Sequence, residues 1–213
     1  VYDTLRGHYG VQWVRGEVKA INPAGKSVTL ASGATLAYDR LVLAPGLEFD
    51  LLPGMTSQTE YDQFTPHAWR AGPQTQLLRD QFVAMPNGRE VVITIPKAPY
   101  RCPPGPYERA CVVADWLADN KPASRVIVLD ANPTILVEQA NFAAAFRGDF
   151  GYLVDYRPGC TLTAVNSRAR SVTYSDAKGS HSIQAGVLNP IPPQRAPKLL
   201  ADAGLYNPAA GER

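Results

Sequence analysis

A proline-rich loop at residues 101–108, with the sequence RCPPGPYE, contains the residues best suited to chemistry. Its cysteine, Cys102, follows Arg101 and comes shortly before a predicted helix start near residues 106–107. A neighbouring cation and the positive end of a helix dipole both favour a thiolate, which is the nucleophile in sulfur exchange. Cys102 is therefore a candidate redox nucleophile. The residues alone leave open the alternative of a small, buried hydrophobic cysteine.

A second candidate in this stretch is Glu108, in the first turn of the predicted helix. A carboxylate at that position commonly does no more than stabilise the helix dipole, by about 0.3 to 1 kcal/mol. Since the loop and the first turn lie close together, Glu108 is also placed to accept a proton from a substrate arriving at Cys102. Both interpretations stay open on the residues alone.

The remaining cysteines and histidines are weaker candidates. The chain has three of each, with no C-x-x-C pair and no metal-ligand spacing, so we predict no metal site. Cys111 falls inside the predicted helix and is expected to pack there, whereas Cys160 stands in a loop and is a candidate for exposure. We interpret His67 and Trp69 as packing and capping residues.

The elements on either side of the cysteine loop predict a βαβ unit. Residues 90–95 and 125–129 are rich in β-branched side chains, and residues 107–118 between them have apolar side chains at helical spacing. Two strands joined by a helical crossover form a parallel pair. A dinucleotide-binding unit has G-x-G-x-x-G at its first turn, but the chain contains no G-x-G, and prolines there remove backbone donors. Asp130, after the second strand, is therefore expected to cap the next turn rather than bind ribose.

Short predicted strands flank this unit on both sides. Residues 11–46 indicate a β-meander that runs into an apolar strand at residues 41–44, buried on both faces, and residues 161–174 indicate another meander. We predict a βαβ domain inserted between two parts of another domain. The predicted segments are 1–66, 67–157 and 158–213.

Composition excludes several classes of protein. With 213 residues and 45% hydrophobic content, the chain is long enough to bury a sizeable core. The 21 basic and 19 acidic residues give a net charge of +2, so there is no charge pattern typical of nucleic-acid binding. No run approaches the roughly 20 apolar residues that a membrane-spanning helix needs. We predict a protein without nucleic-acid partners and without a membrane span.

Three stretches together closely resemble one enzyme family. These are RCPPGPYER at residues 101–109, YDRLVLAPG at residues 38–46 and IPPQRA at residues 191–196, and they resemble the flavoprotein subunit of flavocytochrome c sulfide dehydrogenase. The resemblance extends over essentially the whole chain. It implies an α/β fold in which an NADH-like three-layer (Rossmann-type) domain is inserted into an FAD-binding domain. This is the arrangement of the two-dinucleotide-domain, disulfide-reductase-like flavoproteins, with only part of the FAD-binding domain present here.

The resemblance also implies a reaction. Cys102 would form a disulfide with a later cysteine beyond Arg213, sulfide would open that disulfide to a persulfide, and FAD would pass the electrons to a cytochrome c subunit. Glu108 corresponds to the family's proposed acid/base glutamate. The family's backbone approaches FAD at five positions, which correspond here to Glu17, Val18, Ala44, Pro45 and Gly46. Such proteins are periplasmic, where a working disulfide persists.

The chain alone is expected to be an inactive fragment without tightly bound FAD, because it has no G-x-G loop and only one half of the implied disulfide. Three alternatives stay open. A sulfide:quinone oxidoreductase would deliver electrons to membrane quinone, and an NAD(P)H-dependent flavin reductase is disfavoured by the proline loop. The third is a non-catalytic interaction domain in which Cys102 is structural. The sequence also leaves open whether the substrate is sulfide, a polysulfide or another thiol.

Overall fold

The structure is a computed structural model that describes residues 3–207 and 209. The chain divides into two compact units, a central unit (Phe49–Gln194) and a flanking unit (Val1–Glu48 with Arg195–Arg213). The central unit draws residues from all three predicted segments, 1–66, 67–157 and 158–213. The domain boundaries of the intact protein stay a prediction.

The helices and strands are as follows in chain order: α1 (Asp3–Tyr9), β1 (Val18–Asn22), β2 (Ser27–Leu30), β3 (Thr35–Ala37), β4 (Glu48–Phe49), α2 (Thr59–Gln63), α3 (Pro73–Ala84), β5 (Glu90–Ile95), α4 (Gly105–Asn120), β6 (Arg125–Asp130), α5 (Gln139–Arg147), β7 (Val154–Arg157), β8 (Thr161–Asn166), β9 (Ser171–Asp176), β10 (Gly179–Gln184), β11 (Val187–Pro190), β12 (Gln194–Arg195) and α6 (Lys198–Asp202).

A four-stranded parallel sheet in the order β11-β5-β6-β7 lies at the centre of the central unit. Its two inner strands, β5 and β6, are buried over almost their whole length, because both faces of the sheet are covered. Alternate side chains point to opposite faces. Val91 and Ile93 pack in one core cluster, with helices α3, α4 and α5, whereas Val92 packs in the other, beneath the antiparallel meander β8-β9-β10.

The central unit therefore has three layers, and the predicted α/β class with a βαβ unit is confirmed. The predicted strand at residues 90–95 is β5, the predicted helix at 107–118 is α4, and the predicted strand at 125–129 is β6. β5 and β6 pair in parallel, as the crossover requires. The helix α4 forms because Ala110, Val113, Ala114 and Leu117 line one buried face of it.

The flanking unit contains the antiparallel meander β1-β2-β3, and the helix α6 packs against β1. The prediction of a strand at residues 41–44, buried on both faces, is wrong. These residues form neither helix nor strand, and Val42 is 92% exposed. A strand is held by hydrogen bonds from a neighbouring strand, and none in the described part of the chain pairs with this run.

Among residues 3–207 and 209, no helix combines the length and the apolar character needed to cross a bilayer.

Candidate functional site

The cysteine loop connects β5 to α4, at the carboxyl end of a central parallel strand. Ligands of open α/β sheets bind at this edge. The backbone of Cys102 is left-handed, with φ +58°, and its carbonyl accepts a 3.0 Å hydrogen bond from the N–H of Gly105. Such a conformation is unfavourable for a residue with a side chain and persists only where the surroundings hold it. Contacts on both sides of the loop provide that support.

On the side facing β6, Asn132 ties the loop to the sheet. Its Oδ1 accepts the N–H of Ala98 at 3.0 Å, and its Nδ2 donates to the carbonyl of Pro96 at 3.0 Å. Closer to the cysteine, the hydroxyl of Tyr100 donates to the carbonyl of Pro103 at 3.3 Å. Because prolines supply no N–H groups of their own, these side chains replace the backbone bonds that the loop lacks.

A buried carboxylate, Asp130, accepts several hydrogen bonds near the cysteine loop. Its Oδ2 accepts the hydroxyls of Tyr107 at 2.8 Å and Tyr156 at 2.9 Å, and its Oδ1 accepts the N–H of Asn132 at 2.9 Å. Burial, reinforced by Asp130, raises the pKa of both tyrosines, so their hydroxyls stay protonated as donors. The prediction that Asp130 caps the following turn is confirmed by the bond from Asn132. The tyrosine partners were not predicted.

On the opposite side, Trp69 and Gln194 hold the backbone of Arg101. The carbonyl of Arg101 accepts Nε1–H of Trp69 at 3.1 Å, and its N–H donates to Oε1 of Gln194 at 2.9 Å. Gln194 belongs to the IPPQRA stretch, so two of the sequence motifs meet here. At Gly105, a Cβ atom would lie 2.8 Å from Cη2 of Trp69 and 3.1 Å from Sγ of Cys102. Glycine is required there because the indole and the sulfur both crowd that position.

The structure adds a cation that the sequence did not single out, Arg109. Its guanidinium donates to the carbonyls of His67 and Ala68 at 2.7 and 2.8 Å and to Oδ1 of Asn189 at 2.9 Å, and it lies 4.9 Å from the centroid of the Trp69 ring. Burial lowers the pKa of Arg109 to about 10, and the nearby Cys102 acts in the opposite direction. In the sequence, Arg109 was the last residue of the RCPPGPYER stretch and stood beside the apolar face of the predicted helix, but neither feature gave it a role.

His67 is a buried residue that binds the backbone of Trp69. Its ring is 3% exposed and packs against Phe49 and Tyr61, with centroid distances of 4.3 and 5.0 Å, while its Nδ1 accepts the N–H of Trp69 at 2.9 Å. Burial, followed by the positive charges of Arg70 and Arg109, lowers the pKa of His67 to about 4. His67 is therefore a neutral packing residue at physiological pH, as the sequence predicted.

The three cysteines differ sharply in exposure. Cys102 is exposed, Cys111 is half-buried and Cys160 is 1% exposed. The expectation that Cys160 is exposed is wrong, because its N–H donates to the carbonyl of Asp130 at 2.8 Å and its sulfur packs in a core cluster. Burial raises the pKa of Cys160 to about 11 and also raises that of Cys111. Cys102 is the accessible thiol of the three.

Glu108 lies in the first turn of α4, with an exposed carboxylate. Within the described residues its side chain makes no hydrogen bond or ion pair, so neither contact fixes its direction. The structure places Cys102 and Glu108 on one continuous loop and helix start. Their chemical roles are taken up as proposals below.

The five residues suggested for FAD lie in the flanking unit. Glu17 and Val18 are exposed at the start of β1, and the carbonyl of Glu17 accepts the N–H of Ala31 at 2.8 Å. Ala44, Pro45 and Gly46 are exposed and belong to no helix or strand. Gly46 has φ +81° and open space where a Cβ atom would stand. Open backbone of this kind fits the close approach of a flat cofactor.

Within the described ranges, no group of three or more His, Cys, Asp or Glu side chains is arranged to hold a metal ion.

Comparison with known proteins gives one family and a shared fold. The family described as the sulfide dehydrogenase [flavocytochrome c] flavoprotein chain, central, matches residues 75–192. The sulfide:quinone oxidoreductase from the hyperthermophilic bacterium Aquifex aeolicus superposes with a TM-score of 0.74 at 21% identity, over 94% of this chain and 47% of that chain. The ferredoxin reductase for the CYP199A2 system from Rhodopseudomonas palustris gives 0.62 at 16% identity, over 96% and 47%. These likenesses confirm the predicted flavoprotein fold class, and the chain spans about half the length of the solved proteins.

Proposed function

The chain belongs to the family of flavocytochrome c sulfide dehydrogenase flavoprotein chains, and we propose that it is the central part of a flavin-dependent sulfide oxidoreductase in which Cys102 is a reacting sulfur. The main support is the placement of Cys102. It is the exposed thiol among the three cysteines, and it lies on a turn held from both sides at the carboxyl end of β5. A structural cysteine would have no need of that exposure.

In the proposed reaction, Cys102 forms a disulfide with a second cysteine of the intact protein. Hydrosulfide attacks one sulfur of this disulfide, the S–S bond breaks, and the products are a persulfide and a thiolate. Glu108, exposed at the helix start, accepts the proton that the incoming sulfur releases. FAD, when bound, supplies the acceptor for two electrons. The chain's own part is to hold Cys102 in position and to offer exposed backbone at Glu17, Val18 and residues 44–46 to the cofactor.

The proposed electron acceptor is a cytochrome c subunit, since the family name pairs the flavoprotein with a flavocytochrome c. The proposed substrate is sulfide or polysulfide. The proposed compartment is the periplasm, as the family resemblance implies, and the oxidising conditions there let a disulfide persist between turnovers. We further propose that the chain by itself does not retain FAD, because none of its turns has the G-x-G pattern that binds pyrophosphate.

The test is sulfide-driven bleaching of the flavin absorbance in the intact protein, with C102S compared with C111S. The C102S variant is expected to lose sulfide-dependent reduction by at least about 100-fold, because the disulfide is then absent. C111S, which changes the half-buried cysteine of α4, is expected to behave like the wild type.

Chemical reduction by dithionite should bleach the flavin in both variants and so shows that the cofactor is in place. Wild-type rates of reduction by sulfide in C102S would contradict the proposal. Passage of electrons to a quinone in preference to cytochrome c would favour the alternative, a sulfide:quinone oxidoreductase.

A further inference from the structure

The half-buried cation beside the cysteine loop, Arg109, has no part in the reaction steps above. We propose that Arg109 is a positioning residue for Cys102. Its guanidinium fixes residues 67–69, the Trp69 segment, against the cysteine loop and directs a positive charge toward the Cys102 sulfur. This role rests on the function proposed for Cys102 and adds a residue to that site.

The guanidinium is held by neutral acceptors. Its partners are the carbonyls of His67 and Ala68 and the amide of Asn189, which is itself fully buried and donates back to the carbonyl of Pro66. No carboxylate among the described residues forms an ion pair with Arg109. A charge that is partly withdrawn from water and lacks a counter-ion is costly, so this site favours an anion nearby.

The side chain of Trp69 contacts both Arg109 and the cysteine loop. The guanidinium lies 4.9 Å from the Trp69 ring centroid, and the Nε1–H of that ring donates to the carbonyl of Arg101, the residue before Cys102. The position that a Cβ atom of Gly105 would occupy lies 2.8 Å from Cη2 of Trp69 and 3.1 Å from Sγ of Cys102. The indole and the sulfur therefore lie on either side of Gly105, close to each other. The cation, the indole and the sulfur are therefore successive neighbours.

The segment carrying Trp69 depends on Arg109 for its shape. Ala68 has a left-handed backbone, with φ +48°, and its carbonyl and that of His67 both point to the guanidinium. A lysine keeps the charge but cannot make these planar, paired hydrogen bonds. The effect of Cys102 on the pKa of Arg109, which opposes the lowering by burial, agrees with this arrangement.

Arg101 is the other cation in the loop, and it was the one expected to favour a thiolate. Arg101 is exposed, so water and salt screen the charge of its guanidinium. The charge of Arg109 acts from a partly buried position, where screening is weaker. Since hydrosulfide is an anion, the same charge favours its approach to the sulfur.

The experiment compares two alkylating reagents on the chain itself, the anion iodoacetate and the neutral iodoacetamide, each of which transfers its carbon to sulfur with loss of iodide. Mass spectrometry follows the peptide containing Cys102. The ratio of the iodoacetate rate to the iodoacetamide rate reports the local charge. In the folded wild type it should exceed the ratio in the urea-unfolded chain by about threefold or more.

R109Q should reduce this ratio to near the unfolded value, and R109K should retain most of it. R79Q removes an exposed cation of α3 with the same change in net charge and should leave the ratio unchanged. R101Q should reduce it less than R109Q does. Labelling of Cys160 shows whether a variant is unfolded, since that thiol is buried in the fold.

An unchanged ratio in folded R109Q, or a larger loss in R101Q than in R109Q, would overturn the role of Arg109. If R109Q does not fold, the folded wild type and R109K decide: a wild-type ratio equal to that of the unfolded chain, or its loss in R109K, overturns the role. A Cys102 inert to both reagents in the folded wild type would instead count against the proposed function.

Discussion

Among single residues, His67 shows how burial decides a chemical role. Its pKa is about 4, against 6.5 for an ordinary histidine, so between these values the unfolded chain binds a proton that the folded chain does not. The corresponding stability is fully present above pH 6.5 and is lost as the pH falls toward 4. Between pH 7 and pH 5 we expect the free energy of unfolding to fall by about 1 to 2 kcal/mol from this residue.

The measurement is urea unfolding of the wild type and H67Q at both pH values. Glutamine does not titrate, so the variant should lose less stability on acidification by that amount. Glu60, whose pKa hydrogen bonds from Ser167 and the backbone of Thr56 lower to about 2, loses its contribution only below pH 4.5 and does not overlap this window. An identical pH dependence in the two proteins would show that His67 is not the responsible group.

The sequence could predict some of these residues and not others, for a physical reason. Cys102 was found because its signals are local, namely a neighbouring cation and a helix start within a few positions. Arg109 was missed because its acceptors at His67 and Ala68 come from about 40 residues earlier in the chain. The burial of Cys160 was missed in the same way, because it depends on Asp130 and on the overlying meander rather than on its own loop.

Among secondary-structure elements, the link between β6 and the cysteine loop depends on one side chain. Asn132 bonds the backbone of Pro96 and Ala98 and is 3% exposed. N132A should lower the free energy of unfolding by about 2 to 3 kcal/mol, because it leaves the carbonyl of the buried Pro96 without its partner and removes the part-buried bond to the N–H of Ala98. Chemical denaturation measures this.

The matched control is N141A, which removes an exposed amide that bonds Glu138 at the start of α5. Its cost should stay within about 0.5 kcal/mol. Equal costs for N132A and N141A would mean that the loop holds its shape without the bonds to Asn132. In that case the prolines, together with the bonds from Tyr100, Trp69 and Gln194, would account for the shape of the loop.

The elements themselves were predicted well where their pattern is complete. In β5, α4 and β6 the apolar residues are spaced as the buried positions of each element require, so the sequence of each element is enough to predict its type. The apolar run at residues 41–44 failed as a predicted strand because hydrophobicity does not reveal whether a neighbouring strand exists. Without one, Val42 lies exposed in this chain.

Across the whole chain, the order of strands in the central sheet is the feature least visible in the sequence. β11 lies beside β5 although about 90 residues separate them, and together with β6 and β7 it completes the parallel sheet. Pairing at that distance leaves no mark on local periodicity. The fold class was nonetheless predicted, because the family resemblance brings in the arrangement of the whole domain.

This organisation predicts where amide hydrogen exchange is slow. β5 and β6 have hydrogen-bonded strands on both sides and two buried faces, so their amides should exchange only on extensive opening of the central unit. In the flanking unit, residues 38–47 form no helix or strand and should exchange at least about 1,000-fold faster than β5. β2 of the same unit, paired on both sides, is the internal reference and should be intermediate. Mass spectrometry of peptides from these three regions makes the comparison. Protection of residues 41–44 equal to that of β5 would mean that this run is a buried strand after all, and the exposed backbone at Ala44, Pro45 and Gly46 would then no longer be open to a cofactor.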